Sequence, residues 1–122
     1  IKILMYIFGF EKLQVWKEAR ILTVLIYQLT EKFPDKGKFG LTNQMRRASV
    51  SIGANIAEGS SRFSAKEQAH FYSISYGSLM ELMSHSFTAL DLKYLHEEVF
   101  KQNQQYSTFL NERHHIGRRF GH

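Results

Sequence analysis

Arg46 and Arg47 form an adjacent basic pair in the stretch FGLTNQMRRASVSIGANIAEGSSRF, with Lys36, Lys38, Arg62 and Lys66 nearby and only Asp35 and Glu58 against them. Guanidinium and ammonium groups hold phosphate oxygens through charge-assisted hydrogen bonds, so this grouping could contact a nucleic-acid backbone. Neighbouring helix positions diverge by about 100°, so the two arginines cannot share a face. Arg47 is expected to reach solvent or a partner. Arg46 falls on a stripe with Val50, Gly53 and Ala57 and is expected near a subunit contact. The candidate nucleic-acid set is therefore Lys36, Lys38, Arg47, Arg62 and Lys66. For any one of them the competing reading is a solvated charge or a salt bridge, such as Arg46 or Arg62 with Glu58.

Two E-x-x-H spacings, Glu67 with His70 and Glu112 with His115, suggest a second chemistry. In carboxylate-bridged di-iron bundles two such pairs join a Glu from each remaining helix, here Glu11 and Glu58. All six residues fall in terminal turns, where water competes for the metal, and Glu67 is already explained as a helix cap. The expectation is no metal and no cofactor. Catalytic signatures are missing too. There is no glycine-rich phosphate loop and no G-x-S-x-G, and His96-Glu97 is followed by Phe100 where H-E-x-x-H needs histidine. The absence of cysteine excludes thiol catalysis, disulfides and Cys-type zinc sites. A non-enzyme is expected. Tyr72, Tyr76, Phe71 and Phe87 could stack on bases, but their helical spacing favours core or interface positions.

What must position these residues is one domain. The chain has 122 residues, 43% hydrophobic and 22% charged, enough for a single core without staples. Lys and Arg outnumber Asp and Glu by 16 to 11, a formal charge of +5 that suits an acidic partner. The domain is read as 1–122, with an N-terminal arm at 1–9 and a C-terminal tail at 114–122 that loses periodicity. The apolar start is too short to span a membrane and lacks a small-x-small cleavage site, so a cytoplasmic protein is expected.

Val15, Ala19, Leu22, Ile26, Leu29 and Phe33 recur at spacings of four and three, a helix burying a seam. Leu13 and Trp16 extend that seam at its start. Ile21, Val24, Leu25 and Tyr27 lie off it, so this helix is apolar on a second side, and Ile21, Val24 and Leu25 are assigned to a subunit interface with Arg46, Val50, Gly53 and Ala57. Pro34-Asp35-Lys36-Gly37-Lys38 reads as a turn. The second helix is expected from an N-cap at Thr42 to Glu58, with Gly59 beyond its C-terminus and a core seam of Leu41, Met45, Ala48, Ile52 and Ile56. Gly53 weakens a helix interior, which points to close approach of another backbone. Ser64 and Glu67 form a capping box opening a third helix, with Phe71, Ile74, Ser78, Leu82 and Ala89 inward and an end near Leu92. Glu97 and Glu98 open a weaker fourth helix bearing Val99, Tyr106, Phe109 and Leu110. Four helices with short connections predict an all-α, antiparallel up-down-up-down bundle.

The strings RRASVSIGANIAEGSSR and GSLMEL, with FEKLQVWK near the start, resemble the four-helix-bundle proteins named for 23S rRNA intervening sequences, also labelled S23 ribosomal proteins. The accessory variability protein of diversity-generating retroelements is similar. The resemblance implies a closed homo-oligomeric ring, a pentamer, with a basic surface. It also implies nucleic acid and a reverse transcriptase as partners. Two departures stand out. Gly53 replaces the proline usual in that string, which predicts a straighter second helix, and the tail after Arg113 differs from the family's ending. The function expected is thus a non-enzymatic ring that binds RNA or DNA with low sequence specificity. The rival is a protein-binding scaffold whose charge is incidental.

Overall fold

A computed structural model of the chain describes residues 8–34, 38–102, 104–105, 110 and 112, with the side chains of Lys38 and Phe39 outside that description. Among the described residues the structure is all-helical, with no strand. The elements are a 3-10 turn at Gly9–Lys12, α1 (Gln14–Thr30), a π-helical turn at Lys38–Thr42, α2 (Asn43–Ser60) and α3 (Ala65–Asp91). A fourth helix, α4, is helical at every described position from 97 to 112.

The seams anticipated for α1 and α2 form the core. Ala19, Leu22 and Ile26 from α1 and Met45, Ala48, Ile52 and Ile56 from α2 are buried, with Phe33 closing the end. Val15, Trp16, Leu29 and Leu41 pack against them half-buried. Leu82 and Leu79 add the α3 contribution, and Phe100 and Leu110 that of α4. Each fully buried Leu or Ile contributes roughly 1.5–3 kcal/mol of transfer free energy.

The α3 seam differs from its expected course. It runs Ser75, Leu79, Leu82, Ser86 and Ala89, spaced four and three, while Ile74 is 41% exposed on the outer side. Two serines can occupy core positions because their hydroxyls are satisfied. Ser75 Oγ donates to the Ile52 carbonyl at 2.8 Å and Ser86 Oγ to the Leu82 carbonyl at 2.8 Å. Ile74 stands one residue, about 100°, away from Ser75 and so faces outward.

Hydroxyl contacts also knit the helices in register. Thr23 Oγ1 donates to the Ser49 carbonyl at 3.0 Å across α1 and α2. Ser78 Oγ lies 2.8 Å from Ser51 Oγ across α2 and α3, and Asn55 Nδ2 donates to the Ser51 carbonyl at 2.8 Å. Between α1 and α2 the contacts pair Thr30 with Arg46, Thr23 with Ser49, and Ala19 and Trp16 with Gly53. Between α2 and α3 they pair Ser51 with Ser78, Ile52 with Ser75 and Gly59 with Tyr72.

Helix ends correct two boundary expectations. Thr42 has helical backbone angles and no capping bond, because the π-helical turn feeds straight into α2, and its buried hydroxyl meets no partner. Gly59 lies inside α2 and is buried; its lack of a side chain makes room for the Tyr72 ring. Gly53 meets the Ala19 side chain and Trp16 of the same chain, at 3.6 Å and 3.9 Å from where a Cβ would stand. Ser64 does cap α3, its Oγ accepting from the Glu67 amide at 3.1 Å. At the far end Lys93 takes φ 64°, and Tyr94 N donates to the Ala89 carbonyl at 3.0 Å while Lys93 N donates to Leu90, a left-handed stop made without glycine.

Of the N-terminal arm, residues 1–7 lie outside the described residues. Phe10 packs edge-on to Trp16 with ring centres 4.9 Å apart, so the arm's end sits on the start of α1. The tail at 114–122 and the side chains of Tyr106 and Phe109 also lie outside the described residues.

Candidate nucleic-acid and subunit surfaces

The two arginines part as helix geometry demands. Arg47 is exposed on the outer side of α2. Arg46 turns inward and binds the end of α1. Its Nε donates to Thr30 Oγ1 at 2.8 Å, and its Nη2 donates to the Tyr27 carbonyl at 3.2 Å and to Glu31 Oε2 at 3.1 Å. The guanidinium also stacks over the Tyr27 ring at 4.7 Å. The last turn of α1 holds no basic residue of its own. Arg46 therefore supplies, from α2, the cation that the carbonyl end of the α1 dipole favours. This role within the chain accounts for Arg46 without the subunit contact expected of it.

Arg62 is similarly engaged. It pairs with Glu58 one turn earlier, and its guanidinium covers the Phe71 ring at 4.7 Å. Its Nε is buried without a hydrogen-bond partner. Its side chain is nonetheless 39% exposed. Lys66 is exposed in the first turn of α3.

Arg47 and Arg62 do not converge. Arg47 sits near the start of α2 and Arg62 just past its end, about 22 Å apart at 1.5 Å per residue. Lys38 opens the turn into α2, but its side chain, like all of Lys36, lies outside the described residues. Two cations missed in the sequence, Lys32 and Lys93, come to one end of the molecule. Phe33 packs on Tyr94 with ring centres 5.5 Å apart, so the α1–α2 and α3–α4 connections share one end of the molecule. The exposed Lys32 and Lys93 flank that contact. Nothing in the sequence brings residue 32 to residue 93; only the helix lengths do.

The opposite end carries Phe63, 103% exposed between Arg62 and Lys66. A large apolar residue in the loop SSRFS is the signal that could have found it. Three of the four aromatics considered for stacking pack within the chain, Phe87 while staying 50% exposed. Tyr72 covers Gly59, Phe71 lies under Arg62, and Phe87 packs on Phe100 at 4.9 Å. Burial pushes the Tyr72 hydroxyl above its ordinary value of 10.0.

Among the residues assigned to an interface, Ile21, Val24 and Val50 are exposed, at 43%, 52% and 47%. Leu25, Gly53 and Ala57 are half-buried. Lys17, Arg20, Ile21, Val24 and Leu25 line an open groove of about 400 Å³ on the outer side of α1.

The metal constellation does not assemble among the described residues, which contain no group of three or more histidines and carboxylates able to hold an ion. The Glu11 carboxylate accepts from the Phe8 amide at 2.6 Å, Glu58 pairs with Arg62, and His115 lies outside the described residues. No described helix is long and apolar enough to cross a membrane.

Comparison with curated proteins returns no match. Comparison with protein families matches residues 11–113 to the family described as 23S rRNA-intervening sequence protein. That span takes in α1, α2, α3 and the described part of α4, together with the RRASVSIGANIAEGSSR string. On this match the chain belongs to the 23S rRNA-intervening sequence protein family.

Proposed function

We propose that this chain is the protomer of a non-enzymatic, cytoplasmic, up-down-up-down bundle that closes into a homopentameric ring and binds nucleic acid through phosphate contacts. Sequence specificity is low, because the cations involved are lysine and arginine side chains on convex surface rather than in a base-reading groove. The observation that supports the reading is the Phe33–Tyr94 contact, which brings the exposed Lys32 and Lys93 to one end of the molecule, with Arg47 exposed in the second turn of α2. The formal charge of +5 supports it, and a ring would repeat the cluster around its axis. The resemblance of the RRASVSIGANIAEGSSR string to retroelement accessory proteins makes a reverse transcriptase a fitting partner.

The test is the salt dependence of binding to a structured RNA and to a DNA duplex. Lys32→Gln, Arg47→Gln and Lys93→Asn together should flatten the slope of log affinity against log salt by about 2–3, because each phosphate contact contributes roughly 0.7–0.9. Arg62→Gln with Lys66→Gln should leave the slope nearly unchanged. Equal loss from both variants would place the phosphates elsewhere, and no salt-dependent binding by the wild type would end the reading. A protein-binding scaffold is favoured by one observation, the fully exposed Phe63, which suits an apolar socket on another protein. Binding indifferent to salt and lost in Phe63→Ser would decide for it.

A further inference from the structure

The outer side of α3 has a feature that no described residue of the chain explains. Gly77 sits in the middle of a long helix, where glycine weakens helix formation, and a Cβ there would meet nothing within 4 Å. Gly53 and Gly59, the other helical glycines of the described core, both have close neighbours in the chain. Around Gly77, Ser73, Ile74, Met80, Glu81 and Ser84 share its stripe at helical spacing, and all are exposed. Ile74 and Met80, at 41% and 39% exposure, rise on either side of the glycine, so the stripe is a saddle with apolar shoulders and a carboxylate.

The outer side of α1 is its complement. Ile21 and Val24 form an exposed apolar ridge, and Lys17 and Arg20 stand beside it over the open groove. No acid lies among the groove's lining residues. Between residues 73 and 84 the α3 stripe carries one acid, Glu81, which lies 3.6 Å from His85 Nε2, and the exposed Lys66 continues the stripe toward the start of the helix. Ridge meets saddle, and cations meet a carboxylate.

We infer that the α1 ridge of one copy seats in the Gly77 saddle on α3 of the next. This rests on the ring reading and assigns its contact. The occupant is a second copy because this chain carries both halves of the match. Two like α1 ridges would bring Lys17 and Arg20 against their own kind. A contact between two different faces is heterologous, so each copy offers one free α1 and one free α3, and the chain of copies propagates until it closes. Val50 lies outside this contact.

The experiment is molar mass by light scattering on the full chain. Gly77→Leu fills the saddle without a clash inside the chain and should yield a folded monomer. Ile21→Glu with Val24→Glu breaks the ridge and should also yield a monomer. Mixed, the two should form a one-to-one dimer and nothing larger, because only one intact ridge and one intact saddle remain. Circular dichroism shows that each variant is folded. As a milder pair, Lys17→Glu with Arg20→Glu should weaken association at least tenfold, and adding Glu81→Lys should recover part of it. An oligomer that survives Gly77→Leu, or two folded monomers that do not combine, overturns the assigned contact while leaving a ring possible by other faces. A monomeric wild type overturns the ring reading, and this contact with it.

Discussion

At Gly59 in α2 an added Cβ would stand 2.7 Å from Cε1 of Tyr72 and 3.1 Å from Cβ of Phe71, while at Gly77 in α3 it would meet nothing within 4 Å. The same residue therefore does opposite things in two helices of one bundle. At Gly59 the missing side chain admits an aromatic ring from the neighbouring helix, and the contact offsets the cost of glycine in a helix. At Gly77 no described residue compensates that cost, and this is the helix position at which we place the contact with a second copy.

The largest effect expected from breaking this contrast is at Gly59. Gly59→Ala must displace the Tyr72 ring or spread α2 from α3, and neither Phe71 Cβ nor the ring can swing away at its far end. Overpacking of this kind costs about 1–3 kcal/mol, read as a lowered midpoint in urea unfolding with an unchanged slope. An unchanged or raised midpoint would mean that the helices are further apart than described.

Gly77→Ala should move stability the other way, by about 1 kcal/mol, since it adds helix propensity where no atom opposes it. The measurement belongs in the Ile21→Glu, Val24→Glu background, where association does not enter the equilibrium. Destabilisation there would show that Gly77 has a neighbour within the chain. Gly53→Ala is the intermediate case. Its Cβ would touch Ala19 Cβ at 3.6 Å and Trp16 at 3.9 Å, ordinary contact distances, so the propensity gain should survive at a few tenths to 1 kcal/mol. The three substitutions together should rank the glycines by crowding: loss, small gain, larger gain.

How far these roles can be read from sequence depends on what each residue does. The α1 and α2 seams are legible because Leu22, Ile26, Met45, Ile52 and Ile56 are buried by hydropathy alone. The α3 seam is not, because Ser75 and Ser86 are buried through hydrogen bonds to carbonyls, and hydropathy does not register a bond. Gly59 in AEGSSR looks like a helix stop, and the ring that explains it comes from another helix. For the candidate site, the outward course of Arg47 follows from the angle between adjacent positions, and the Arg62–Glu58 pair from i,i+4 spacing. The gathering of Lys32 and Lys93 follows from neither. It depends on where two connections meet, which is a property of the assembled bundle.

The smallest expected effect tests whether Tyr72 and Gly59 form one unit. Burial raises the Tyr72 hydroxyl above 10.0, so the folded state holds its proton to higher pH than the unfolded chain does. The stability this lends is fully present below pH 10 and is lost as pH rises through the folded value, where the buried ring must ionise. Tyr72→Phe should therefore make the fall in stability above pH 10 shallower than in the wild type, whatever it costs at neutral pH. Gly59→Ala should shallow the same slope, because a ring pushed off α2 regains water and titrates closer to its ordinary value. Combined, the two should be less than additive, since after the first change little of the contact remains for the second to disturb. A steep alkaline fall in Gly59→Ala that matches the wild type would mean that the ring stays buried without the glycine, and that the close approach of α2 to α3 is not what shelters it.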